Sequence, residues 1–158
     1  MSEPHDHDIC MSDNGHAGCA HAHGHIRLTP ARQLVLDKLC AARRPVGAYD
    51  MIDIVADATG KRPAPVSIYR ALDFLLENGL VHRLASRNAY MACAHRHARS
   101  APVAFLICDQ CGCVTEATSP AVETSLEQLA AASGFRAQTR VIELTGVCRA
   151  CADAPETL

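Results

Sequence analysis

The apolar positions of PVSIYRALDFLLENG fall at Ile68, Ala71, Leu72, Leu75 and Leu76, spaced i, i+3, i+4, i+7 and i+8. One face of an α-helix has that period, so the segment predicts a helix with a single buried stripe. At roughly 100° per residue Arg70 lies about 200° round the axis from Ile68, and Ser67 also faces away from the stripe. Upstream, RLTPARQLVLDKLC sets Thr29 as cap and Pro30 as first helical residue, followed by Leu34, Val35 and Leu39 on the apolar side. RRPVG ends that helix, and AYDMIDIVADATG predicts a second one closed at Gly60. After Gly79, LVHRL and AYMAC separated by ASRN predict a two-stranded hairpin.

Three helices and a hairpin joined by short links describe a winged helix-turn-helix, whose third helix would enter a major groove by its N-terminal half. That places Tyr69 and Arg70 near base edges, with Ser67 beside them. The same pattern also fits a three-helix scaffold with no DNA role. The second half alternates differently. PVAFLIC and CVTEA predict strands, SPAVETSLEQLAAASG a helix capped by Ser119, and FRAQTRVIELTGVC one long strand. So short a unit holds little core of its own, and a symmetric partner would help to bury it. The expected fold class is α+β: an N-terminal winged helix-turn-helix followed by a small α/β dimerisation domain with a four-cysteine zinc site. The expected divisions are 1–25, a disordered histidine-rich tail, 26–92, the DNA-binding domain, and 93–158, the dimerisation and metal-binding domain.

Charge sharpens this division. Residues 1–25 hold four acids and no Lys or Arg, residues 26–90 hold ten Lys plus Arg against six acids, and residues 91–158 hold five against seven. The basic middle is therefore the part suited to a polyanion, with Arg27, Arg32 and Lys61 as candidates for phosphate contacts. Aromatic residues make up 4% of the chain and Trp is absent, which argues against a carbohydrate site or a base-stacking platform. The longest apolar run, APVAFLIC, is too short to span a bilayer, and MSEPHDHDIC has neither the basic nor the apolar region of an export signal. The expectation is a cytoplasmic protein with no membrane partner. Thiols stay reduced in that compartment, so nine cysteines point to metal ligands or buried fillers before disulfides.

CDQC, with Cys108 and Cys111, has a counterpart in CRAC, with Cys148 and Cys151. Two such knuckles supply four thiolates, the donor set of a tetrahedral structural Zn2+. A redox Cys-x-x-Cys needs a helix to lower its thiol pKa, whereas a Gly and then a strand follow CDQC. With all four positions taken by protein, and with no HExxH in the chain, nothing points to an enzyme. A second donor set is His82, Cys93, His95, His97 and Glu116, which could form a mixed site straddling the two halves; singly, each also reads as a surface or core residue. The tail motifs HDHDIC and HAHGH could bind metal weakly by themselves.

RLTPAR, AYD, PVSIYRALDFLLENGLVHR, YMAC, FLICDQCGCVTE and GVCRAC together resemble the ferric uptake regulator family, most closely its zinc uptake regulator branch. The resemblance covers about residues 26–151. It implies a homodimeric repressor that binds double-stranded operator DNA when zinc is plentiful and shuts off zinc uptake genes. It further implies a structural Zn2+ on Cys108, Cys111, Cys148 and Cys151, and a regulatory one on His82, Cys93, Glu116 and a second histidine. That histidine is assigned to His97, with His95 as the alternate, since Ala101 stands at the family's usual position. Ser67 stands where the family commonly has Thr. The alternatives are an iron- or manganese-responsive regulator of the same family, or a metal-buffering protein using its tail.

Overall fold

A computed structural model describes residues 26–42, 44–93, 102–138 and 140–153. The expected tail at 1–25 and the candidates His95 and His97 lie outside the described residues. The architecture is α+β, and the described residues divide into two compact units, 26–93 and 102–153.

The first unit runs α1 (Pro30–Ala42), β1 (Val46–Gly47), α2 (Ala48–Thr59), α3 (Pro65–Glu77), β2 (Val81–Leu84) and β3 (Ala89–Ala92). The stripe on α3 is buried at Ile68, Ala71, Leu72 and Leu75, while Leu76 packs at the margin. It meets Val35, Leu36 and Leu39 of α1 and Met51, Ile52 and Val55 of α2 in one core. In α1 the buried residue is Leu36 and not the expected Leu34, which reaches only the edge of the core. Residues 35, 36 and 39 share a face, and position 34 lies about 100° round the axis from 35. Thr29 sits at the start of α1 as expected, its Oγ1 3.5 Å from the Arg32 N–H and its carbonyl accepting from Gln33 N at 2.9 Å. Gly60 ends α2 at φ 70, a left-handed conformation that costs glycine little, and its N–H donates to the Ala56 carbonyl at 2.8 Å.

The hairpin pairs β2 with β3 antiparallel, Val81 opposite Ala92 and Leu84 opposite Ala89. A third strand was not expected. β1 pairs with β3, Val46 opposite Tyr90, and gives the order β1-β3-β2. Two residues carry no period, and they lie in RRPVG, which reads as a break.

The second unit runs β4 (Val103–Cys108), β5 (Val114–Ala117), α4 (Pro120–Ala132), β6 (Val141–Gly146) and α5 (Arg149–Ala152). Its sheet has the order β5-β4-β6, with β4 antiparallel to β5 and parallel to β6. A parallel pair needs a crossover, and α4 lies in it. The long strand expected from FRAQTRVIELTGVC is shorter, only Val141–Gly146: Gly134 at φ 60 turns the chain after α4, and residues 135–138 pair with no strand. Serine 119 precedes α4 in extended conformation but makes no side-chain cap hydrogen bond. The helix α4 buries no residue fully, and Leu129, Phe135 and Leu144 are 65%, 68% and 55% exposed. Among the described residues no helix is long and apolar enough to cross a membrane.

Candidate metal centre and nucleic-acid interface

The second unit brings the two knuckles together. Cys108 is the last residue of β4, and because β6 runs parallel to β4 with Gly146 opposite Cys108, the chain arrives at the same end of the sheet just before Cys148. Cys111 sits in the turn after β4, closed by Gly112 at φ 73, whose N–H donates to the Cys108 carbonyl at 3.0 Å. The second knuckle differs from expectation: Cys148 is the N-cap of the one-turn helix α5, which also carries Cys151. The four sulfurs all lie within 4.8 Å of one another, and Cys111 Sγ is 3.8 Å from Cys148 Sγ. Four thiolates at tetrahedral corners about 2.3 Å from a zinc ion stand about 3.8 Å apart, so the cluster has the dimensions of a Zn(Cys)4 site.

Backbone amides prepare it. The Cys148 N–H donates to Cys108 Sγ at 3.3 Å. The Cys111 backbone N–H, chiefly, with those of Cys148 and Gln110, pulls the Cys108 thiol down to about 6 against the opposing effect of burial. Burial pushes the Cys111 thiol up. Cys151 is pushed up to about 12, first by its hydrogen bond with the Cys148 thiol and then by burial and its neighbouring sulfurs. Without a cation, four thiolates in one place repel, so one sulfur holds the charge and others keep their protons. Cys113 lies just beyond this group, and its carbonyl accepts from Cys108 N at 2.9 Å.

The second donor set is divided between the units. Within the first, His82 on β2 stands opposite Met91 on β3, and Cys93 follows two residues later, its N–H donating to the Leu80 carbonyl at 3.0 Å. Residues two apart on a strand share a face, so the imidazole and the thiol lie on the same side of the hairpin. Their ligand atoms are within 4.8 Å of each other. In the second unit Glu116 sits half-buried on β5, opposite Phe105.

The start of α3 carries the candidate DNA face. Ser67, Tyr69 and Arg70 are all exposed, together with Val66, while their helix mates pack inward. Arg27 is exposed just before α1, and Lys61 just after α2. Among the described residues Arg27, Lys61 and Arg70 form no ion pair, whereas Arg62 is held by Asp53 at 2.6 Å. Arg32 is half-buried, its guanidinium 3.6 Å from the centre of the Phe74 ring. Sequence spacing gives no sign of that contact, since the two residues lie on different helices.

Residues 23–145 match the model of the ferric uptake regulator family. The zinc uptake regulation protein of Escherichia coli (strain K12) is 39% identical over 132 residues, covering 84% of this chain and 77% of that protein. The peroxide operon regulator of Bacillus subtilis (strain 168) is 30% identical over 134 residues, covering 80% and 84%. Among solved structures, a zinc uptake regulator complexed with zinc and DNA matches with a TM-score of 0.74 at 39% identity, over 85% of this chain and 88% of that one. With the family model spanning most of its length and relatives of this identity on both measures, the chain belongs to the ferric uptake regulator family.

Proposed function

We propose that this chain is a zinc-responsive transcriptional repressor, which binds double-stranded operator DNA as a zinc-loaded homodimer in the cytoplasm and represses zinc uptake genes. The observation that carries the reading is a four-sulfur cluster of zinc dimensions in a chain 39% identical to a zinc uptake regulation protein. The role is that of a regulator and not of an enzyme.

Cys108, Cys111, Cys148 and Cys151 hold a structural zinc in this reading. His82, Cys93 and Glu116 hold the regulatory one, with His97 as the remaining donor and His95 as its alternate. Bound at either place, zinc supplies a cross-link between side chains and no catalytic step. The Cys93 thiolate tilts the regulatory set toward zinc, since iron and manganese favour imidazole and carboxylate donors. His82 and Cys93 come from the wing, and Glu116 from the second unit. Ligands drawn from both units let metal loading favour the arrangement that fits two half-sites of one duplex. DNA then raises zinc affinity in return, with a coupling of about 1 to 3 kcal/mol in typical cases.

On the DNA side Arg70 reads base edges, Tyr69 makes backbone or thymine-methyl contact beside Ser67, and Arg27, Arg32 and Lys61 meet phosphates. Exposed Leu129, Phe135 and Leu144 supply apolar surface for a second copy.

Operator binding by the purified protein against buffered free zinc, iron and manganese tests the reading. Zinc alone is expected to switch binding on at low free concentration. An equal response to iron or manganese would overturn the zinc assignment.

A further inference from the structure

Arg32 on α1 and Phe74 on α3 meet with the cation over the ring, 3.6 Å from its centre. The ring quadrupole attracts the guanidinium, yet the ring consumes none of the strong N–H donors, which lie in the guanidinium's own plane. Among the described residues this guanidinium makes no hydrogen bond or ion pair; only the backbone N–H of Arg32 is engaged, with Thr29 Oγ1. The acids on the same two helices do not claim it. Asp37 accepts from Gln33 Nε2 at 2.7 Å, and Asp73 forms no ion pair among the described residues. Arg62 is the contrast, its charge already answered by Asp53.

An arginine whose orientation is held while its donors are unspent is prepared for an anion. We propose that Phe74 is a positioning residue for DNA binding, seating Arg32 so that its donors meet a backbone phosphate and tying that grip to the helix that reads the groove. This rests on the DNA-binding reading above. Ordering a long side chain beforehand lowers the entropy lost when DNA arrives. Because the seat is on α3 itself, the phosphate contact and the base-reading face of α3 share one rigid element.

The test uses the full zinc-loaded chain and a duplex selected from a random-sequence pool by the wild-type protein, with affinity measured over a range of potassium chloride. Arg32→Ala is expected to flatten the logarithmic salt dependence by about one contact per subunit. Phe74→Leu, which leaves the charge in place, is expected to weaken binding about fivefold, and to weaken it no further in the Arg32→Ala background. Phe74→Tyr keeps the ring face and is expected to restore binding. Thermal unfolding of each variant shows whether α3 still packs. A merely structural Phe74 makes the two losses multiply, and that result overturns the positioning role while leaving the DNA reading intact. A wild-type protein that selects no duplex sinks both.

Discussion

Cys93 is a buried thiol on the same face of the hairpin as His82, a position that core packing alone would give equally well to Ala or Val. Its proposed ligand role sets it apart, because serine nearly matches its volume but is a poor zinc donor at neutral pH. Cys93→Ser is expected to abolish zinc-dependent operator binding while sedimentation still shows a folded dimer; unchanged zinc dependence in a gel-shift titration would remove it from the site. The four-sulfur cluster makes a separate prediction in pH. At neutral pH the Cys111 and Cys151 thiols, both pushed up, keep their protons, whereas Cys108, at about 6, has already lost its own. Each proton that the metal must displace weakens binding about tenfold per unit fall in pH. Zinc affinity is therefore expected to fall as pH drops through 7, and to fall more steeply below about 6, where Cys108 takes up its proton as well. Chelator competition across that range checks it, and a flat profile would contradict the site's electrostatics. At this scale the four-sulfur cluster was legible because Cys-x-x-Cys twice is a spacing with few other uses. The seat of Arg32 on Phe74 was not, since it depends on how α1 crosses α3.

Among the elements, α3 was legible in its length, its buried stripe and its outward residues, because thirteen residues carry more than three turns of period. The one-turn helix α5 and the two-residue strand β1 were not, being shorter than any period that could announce them. In α1 one member of the stripe was placed two positions early, at Leu34 for Leu36, because a run of QLVLDKL offers two adjacent apolar faces and only the packing chooses. The structure also shows a weakness in α3: its N-cap is Ala64, extended at φ −65 and ψ 136, with no side-chain hydrogen bond to the first turn. Ala64→Ser supplies an acceptor there and is expected to raise stability by about 1 kcal/mol. Urea unfolding measures it, and no change would mean that Pro65 already fixes the turn.

At the scale of the molecule, the second unit leaves large apolar side chains in water. The helix α4 has no fully buried residue, and Leu129 on it and Phe135 just beyond it are more exposed than an isolated domain's core would allow. The helix itself was visible in sequence, but with no residue of it fully buried among the described residues its apolar side could not be placed from periodicity. Phe135→Glu is expected to shift the protein from dimer toward monomer in sedimentation velocity with its helical content intact, and an unaltered dimer would place the contact elsewhere. The parallel alignment of β4 with β6, Cys108 level with Gly146, bears on covalent continuity as well. Since both knuckles leave the sheet at one end, a zinc ion held by the four sulfurs would clasp two segments that the intervening helix need not join. A protease nick at the exposed turn Ser133–Gly134 should therefore yield two fragments that travel as one particle and part only when the zinc is stripped.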